Sequence, residues 1–477
     1  MSATPARPRR RRRLRLLFAS AELAPLAQTG GLGEAVGGLA RALAARGHEV
    51  VCALPLWRRV RESPALPELA DAGGGWRSGT AAGGVRLLLL DAPALFDREP
   101  LYAGVPTMDE AARFIGFSRA VAARAAAEPP DVLVAHDWHA ALSICALRTL
   151  SDFGAARGIG TAVVVHNNAY QGRFPAAAMA ATGLPAELFH PDALEFFGDL
   201  CLLKGGLTWA ERIVTVSPRH AVELQGAEFG AGLEGLYRWR AHRLAGIANG
   251  IDAQAYDPAT DRALRARFSA SYPKPRGACR AALLTRLALQ VPEPGRLLAA
   301  IGRLSEQKGW DVLVDAAPAL IERGASMALL GDGDPALAAR VRALAQRFPG
   351  RVRAQLGWDD ALARQIYAGA DCVLVPSRFE PCGLVQLLAQ RYGALPVAHR
   401  VGGLVDTISD GESGVLFEPL DPEALVAAAE RAAALWRERG ADKLARRLLS
   451  LDVSWSRPAA EYEAVLGAGA REGARRL

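Results

Sequence analysis

Short apolar runs that do not alternate with polar residues set the first limit on how this chain folds. In the first half they are "RLLFAS" (15–20), "HEVVCALP" (48–55), "VRLLLLDAP" (85–93), "DVLVAHD" (131–137), "GTAVVVHN" (160–167) and "RIVTVSP" (212–218). A strand with one wet face alternates; a strand covered on both faces does not. Helical stretches such as "AARFIGFSRAVAARAAA" (111–127) separate the runs. Repeated βαβ units predict a parallel sheet with right-handed crossovers. A second series follows: "RLLAAIGRL" (296–304), "SMALLGDGD" (326–334), "RVRAQLGW" (351–358), "DCVLVPS" (371–377), "LPVAHRVGG" (395–403) and "SGVLFEP" (413–419).

At 477 residues the chain is too long for one ordinary core. The turn-rich "GIANGIDAQAYDPATD" (246–261) and "SASYPKPRGAC" (269–279) place the boundary near 260. The expected division is a basic disordered tail over 1–13, a first domain over 14–260, a second over 261–453 and a C-terminal helix over 454–477 that packs back on the first domain. The predicted class is α/β, with two doubly wound Rossmann-like domains facing an interdomain cleft. Ligands of such sheets bind at the carboxyl ends of the strands.

The net charge of +7 does not point to nucleic acid, because residues 1–15 hold seven Arg and no acidic residue. The rest of the chain is formally neutral, so the basicity belongs to a tail and not to a folded patch. The stretch "RRRRRLRLLFASAELA" begins like an export signal, but its apolar part is short and Glu22 interrupts it. No run reaches the roughly 20 apolar residues of a membrane helix. Six scattered cysteines form no C-x-x-C pair, which speaks against a zinc site or a disulfide framework and for a reducing cytoplasm.

The candidate site residues all follow one of the predicted strands. "AQTGGLGEAVGGLA" (27–40) offers a Gly-rich turn in which Gly30, Gly31 and Gly33 let backbone approach a phosphate or sugar, with a helix expected from near Gly33. Gln28 opens that turn, where a cation would suit a diphosphate. In "HDWHAA" (136–141), Asp137 can accept from sugar hydroxyls and Trp138 can offer a stacking face; a metal pair at His136 and His139 lacks further ligands nearby. In "VVVHNNAYQGRF" (163–174), His166 ends a strand and can donate to a hydroxyl. In "GRLSEQKGWD" (302–311), Arg303 and Lys308 suit a leaving diphosphate as a fork and a point charge. Lys308 is one of only four lysines. In "VPSRFEPCGLVQLLAQRYG" (375–393), Glu380 precedes a helix expected from near Gly383, and Cys382 reads as a small packing residue because no base accompanies it.

"TGGLGE", "HDWHA", "VHNNAYQG", "KGGLTWAERIVTVSP", "NGID", "GRLSEQKG", "SRFEPCGL" and "GGLVDTISD", in this order and spread, closely resemble the family 5 glycosyltransferases, the bacterial glycogen synthases and plant starch synthases. The likeness runs from about residue 14 to about 466. It implies a GT-B fold and transfer of glucose from ADP-glucose to the non-reducing 4-OH of an α-1,4-glucan such as glycogen. Retention of configuration and no metal are also implied; no cofactor is expected, and the charge distribution and run lengths above lead to no nucleic-acid and no membrane partner. On matched positions it implies catalytic roles for His166, Arg303, Lys308 and Glu380. It also implies that Asp137 and Asn249 flank the sugar; with the residue readings above, donor contacts are expected at Gln28, Gly30, Gly31, Gly33, Asp137, Asn249, Gly383 and Leu384, and acceptor contacts at Trp138, His139 and Tyr170. The related family 4 carries a second Glu eight positions after the first, where this chain has Leu388. The chain departs from the family at Gln28 (usually Lys), Glu34 (often Asp), Asn168 (usually Leu) and Leu388 (commonly Tyr). A paralogue using UDP-glucose or another acceptor, and a weakly catalytic glucan-binding regulatory protein, are the alternatives left by Gln28.

Overall fold

The computed structural model describes residues 12–476. The chain forms two compact units. One gathers the described parts of 1–214, 224–245 and 459–477, and the other gathers 215–223 and 246–458. Residues 1–11 of the expected basic tail lie outside the described residues. Arg12 lies inside them, and its Nη2 donates to Asp131 Oδ1 at 2.7 Å.

In the first unit the strands are β1 (Arg15–Ala19), β2 (Glu49–Pro55), β3 (Ala70–Asp71), β4 (Trp76–Thr80), β5 (Arg86–Leu90), β6 (Val132–His136) and β7 (Gly160–Val165). The short β8 (Arg173–Pro175), β9 (Glu195–Phe196) and β10 (Asp199–Cys201) make a separate antiparallel sheet. With β11 (Arg212–Thr215) and β12 (Leu244–Gly246), the large sheet reads β12-β11-β7-β6-β1-β2-β5-β4-β3. Parallel pairing runs from β7 through β6, β1 and β2 to β5. β6 and β7 are buried at every residue, the physical counterpart of their unbroken apolar runs. β3 and β4 extend the edge antiparallel; too short or too polar for a clear apolar run, they and the small sheet escape a sequence reading.

The second unit holds β13 (Leu297–Ile301), β14 (Ser326–Gly331), β15 (Val352–Leu356), β16 (Cys372–Val375), β17 (Leu395–His399) and β18 (Val415–Phe417). They form one sheet, β15-β14-β13-β16-β17-β18, with every pair parallel. One of its cores packs Trp310, Leu313, Leu320, Met327, Leu374 and Trp436 with the strands. β15 stands at the edge and alternates in burial. Built outward from β1 with β2 and β5 on one side and β6 and β7 on the other, the first sheet has the same strand order as the second. That is the Rossmann arrangement, with switch points at β1/β6 and at β13/β16.

The chain passes between units at 245–246, not at the expected 260. The turn-rich stretch is anchored within the second unit: Ile251 bridges to Ser454, Arg391 Nε donates to Tyr256 O at 2.8 Å, and Arg364 pairs with Asp261 at 3.2 Å. The helix Ser456–Ala474 counts with the first unit from residue 459. It touches the start of β7 backbone to backbone, so a Cβ on Gly160 would stand 2.6 Å from Gly469 O. Arg46 Nε to Glu463 Oε2 at 2.8 Å and Arg212 Nη1 to Glu472 Oε2 at 2.8 Å hold its flanks. Gly160→Val is therefore expected to destabilise the protein by about 1–3 kcal/mol through overpacking, measured by denaturant unfolding. Gly469→Ala, whose Cβ would lie 3.5 Å from Arg212 Cγ, is expected to leave stability unchanged or slightly raised.

Candidate functional site

In the second unit the loops after β13 and β16 leave adjacent strands at the switch point. Lys308, in the first loop, donates from Nζ to Glu380 Oε2 at 2.5 Å, and Ser377 Oγ donates to the same oxygen at 3.0 Å. Glu380 is buried, and Lys308 is three-quarters covered. Arg378 clamps the two loops with a bidentate pair to Asp311 at 2.8 and 2.6 Å and a main-chain bond, Arg378 N to Gln307 O, at 2.8 Å. Gly309, at φ 66°, sits so close to Pro376 O that a Cβ would overlap it. Gly402 N donates to Glu223 Oε1 at 3.0 Å, and Gly403 N donates to Glu380 O at 3.0 Å, fixing the Glu380 backbone. Arg303 is exposed, and its guanidinium has no hydrogen bond or ion pair among the described residues. The loop thus presents one paired and one free cation.

Asn249 lies in this unit; its Oδ1 is buried without a partner. The helix expected from near Gly383 begins at Val385 and ends at Arg391, and Leu384 is its N-cap. Gly383, at φ 78°, is held in the preceding turn, where Gln386 Nε2 donates to its carbonyl at 3.0 Å. Burial pushes the Cys382 thiol up to about 12, which leaves it protonated and in the packing role.

In the first unit the loop after β1 faces the one after β6 across the other switch point. Its helix runs Gly31–Ala45, two residues earlier than expected, with Gly30 as N-cap. The glycines differ in what they do. Gly33 is taken up by the loop itself, since a Cβ would lie 3.0 Å from Ala27 O, whereas a Cβ on Gly30 would meet nothing within 4 Å. Buried Glu22 organises the turn: it accepts from Thr29 N and Thr29 Oγ1, each at 2.7 Å, and from the Tyr102 hydroxyl at 2.7 Å. Gln28 is exposed, and its carbonyl accepts from Arg59 Nη1 at 3.1 Å. Arg59 also forms a bidentate pair with Glu99, both distances 2.6 Å. A cation does stand at the opening of this loop, on Arg59 and not on residue 28.

Asp137, just past β6, has φ 55° and ψ −174°, a strained conformation for a residue with a Cβ. Its Oδ1 accepts from His166 N at 2.7 Å and Asn167 N at 3.4 Å. Burial pushes its pKa up to about 7, against these hydrogen bonds. His136 Nδ1 and His166 Nε2 are 3.0 Å apart. Burial holds His166 and His139 down at about 3, so both rings are neutral at physiological pH.

The acceptor candidates separate. Trp138 is only 7% exposed. Its ring packs on His139 at 4.0 Å and on Phe114 at 4.7 Å, and Gly172 lies against it so tightly that a Cβ would overlap the indole. The open stacking face expected of Trp138 is absent, because helix packing has consumed it. His139 is likewise buried. Tyr170 is 54% exposed and keeps a free face. Asn168, the departure from the family pattern, is a buried anchor: its Nδ2 donates to Gly230 O at 2.9 Å and Phe229 O at 3.1 Å, and its Oδ1 accepts from Tyr237 at 2.8 Å. Three contributors escaped the sequence reading. Glu22 and Arg59 carry no local signal; the third, Trp358, is a candidate only by its place, 63% exposed just past the edge strand β15 in "QLGWDD". Among the described residues no group of three or more His, Cys, Asp or Glu could hold a metal ion, and no helix is long and apolar enough to cross a membrane.

Comparison with known proteins closes on the same reading. Residues 15–239 match the starch synthase catalytic domain model, and 295–434 match the glycosyl transferases group 1 model. A glycogen synthase of Rhodopseudomonas palustris is 42% identical, covering 94% of this chain and 97% of its own. One from Halorhodospira halophila is also 42% identical, covering 94% and 98%. Among solved structures, the catalytic domain of starch synthase IV from Arabidopsis thaliana, bound to ADP and acarbose, matches with a TM-score of 0.87 at 29% identity, over 96% of this chain and 100% of that one. A sucrose-phosphate synthase from Thermosynechococcus elongatus, at TM-score 0.63 and 21% identity, shares the fold. The chain belongs to the glycogen and starch synthase family of glycosyltransferases and has its GT-B fold.

Proposed function

We propose that the chain transfers glucose from ADP-glucose to the non-reducing 4-OH of an α-1,4-glucan, with retention of configuration. The observation that carries this reading is the pair of cations in the loop after β13, Lys308 set on Glu380 and Arg303 left free. Breaking the bond between the anomeric carbon and the diphosphate oxygen leaves negative charge on departing ADP. Fixed cations meet that charge as it develops, with no reorganisation at the moment of reaction. The acceptor 4-OH forms the new bond to the anomeric carbon, on the face the diphosphate leaves, and gives up its proton to the departing diphosphate oxygen. Glu380 serves the donor sugar and nucleotide, and Gly383, Leu384 and Asn249 belong to the same donor set. The exposed Trp358 ring offers a stacking face for the base. His166 and Asp137 serve the glucose, and Tyr170 the glucan. The ADP and acarbose bound by the Arabidopsis relative support nucleotide and glucan chemistry of this class. Six free, buried cysteines support a cytoplasmic setting.

Incubation with glycogen and labelled ADP-glucose or UDP-glucose tests the reading, and label must enter glycogen from ADP-glucose. Arg303→Ala is expected to lower kcat by about 10²–10³ without lowering the melting temperature, since the side chain is exposed and unpartnered.

Gln28→Lys restores a charge that the loop opening lacks in its side chain. It is expected to lower the KM for ADP-glucose by up to about tenfold, the value of one charge-assisted hydrogen bond, since the neighbouring Arg59 is already paired with Glu99. An unchanged KM and kcat would show that this position does not meet the donor.

Asp137 makes a linkage prediction. Its folded-state pKa is raised from 3.8 to about 7, so the folded protein holds the proton more tightly than the unfolded chain. Wild-type stability is then lost as pH rises from about 4 to about 7 and is level above that. Asp137→Asn removes the titration and keeps an acceptor for His166 N. Its melting temperature is expected to gain on the wild type across that pH window, while transfer falls.

A further inference from the structure

We propose that His136 is a positioning residue that holds His166 in the tautomer carrying its proton on Nδ1, so that His166 meets its ligand as a hydrogen-bond donor. The pairing starts with register. β6 and β7 are parallel with His136 opposite Val164, and His166 lies two residues further on, so both rings project from the same face of the sheet. Asp137 N donates to Val164 O at 2.9 Å and Asp137 Oδ1 accepts from His166 N at 2.7 Å, which locks the two strand ends together. The ring nitrogens then meet at 3.0 Å, His136 Nδ1 to His166 Nε2.

One of the two nitrogens must carry the hydrogen. His136 is fully buried, and its Nε2 has no partner; the ring of Phe18 lies 4.9 Å away, centroid to centroid. If His136 carried its proton on Nε2, that buried N–H would be left with at most a weak aromatic acceptor. With the proton on Nδ1, the N–H is satisfied by His166 and only a lone pair is left unused. Orphaned buried N–H groups are the rarer and more costly of the two. Both rings are kept neutral by burial, so neither escapes the choice by holding two protons. His136 therefore donates, His166 accepts at Nε2, and the neutral His166 must carry its hydrogen on Nδ1. That nitrogen has no hydrogen bond among the described residues. A hydroxyl can donate or accept, so the tautomer decides the direction of the bond at this position.

The second half of this inference rests on His166 as a contact of the transferred sugar; the tautomer itself does not. The test is long-range ¹H–¹⁵N correlation on the full chain labelled at its eight histidines, with His166→Gln used to identify the His166 signals. The expected result is a protonated Nδ1 and an unprotonated Nε2 on His166. A protonated Nε2 overturns the proposal, whatever the turnover of the wild type. Kinetics with ADP-glucose and glycogen then separate donation from packing. His136→Asn places an amide N–H where Nδ1 stood and is expected to hold kcat within about threefold. His136→Phe fills the space without a donor and is expected to lower kcat about tenfold or more, with glycogen KM little changed. Equal loss in both variants overturns the donor role. Absence of transfer by the wild type counts against the proposed function and leaves the tautomer result standing.

Discussion

Parallel strand pairing is the constraint on which the rest of the molecule depends. It places the carboxyl ends of the core strands along one edge, and the Rossmann order makes the chain build away from β1/β6 and from β13/β16 in opposite directions. Two loops that start one strand spacing apart, about 4.8 Å, then diverge and leave a crevice. Lys308 and Glu380, 72 residues apart in sequence, meet for this reason. The glycines in those loops serve close approach: Gly309 lies against Pro376 O and Gly402 against Glu380 O, each with no room for a side chain.

The two units handle polar groups differently. The second keeps full charges and pairs them. A buried carboxylate is costly unless its lone pairs are used, and Glu380 has Lys308 and Ser377 on one oxygen. That pair is neutral, and the exposed Arg303, with no ion pair among the described residues, is the cation of this loop that water can still screen. The first unit also buries an ion pair, Arg148 with Glu211 at 2.8 Å, but at the ends of β6 and β7 it buries groups that stay neutral or titrate near pH 7: His136, His139 and His166 lose their charge to desolvation, and Asp137 is raised to about 7. Neutral rings suit hydroxyl groups, without the desolvation cost of ions, and fixed cations suit a diphosphate. The chemistry proposed for each unit follows from the charge state its packing permits.

Strand placement was legible because burial on both faces writes itself as an unbroken apolar run in the interior strands, while the edge strand β15 writes its half-exposed burial as the alternation "RVRAQL". Each of the twelve runs contains a strand of the two large sheets. Strand-end motifs were legible for the same reason. What the sequence hid was consumed space. "HDWHAA" shows an indole at a strand end, and nothing in it reveals that Gly172 and His139 occupy the faces of Trp138. The boundary was misplaced because turn-rich residues were equated with a linker, whereas Ile251, Tyr256 and Asp261 are fastened to Ser454, Arg391 and Arg364. Long-range partners such as Glu22 and Tyr102, 80 residues apart, have no local pattern at all.

The Gly-rich loop shows how shape and charge can be set by different residues. Its turn is held by the Glu22 carboxylate on Thr29 and Tyr102, and its packing by Gly33 against Ala27 O. None of these contacts uses the side chain of residue 28. Among the described residues Gln28 is held through its carbonyl, by Arg59, and Arg59 is itself neutralised by Glu99 at 2.6 Å. A substitution at 28 therefore alters the field at the loop opening and leaves the backbone that forms the opening in place. Because the local cation is already paired, its field is close to that of a dipole and falls off faster than that of a lone charge. A lysine in place of Gln28 would thus be an electrostatic change confined to one point of an otherwise intact turn.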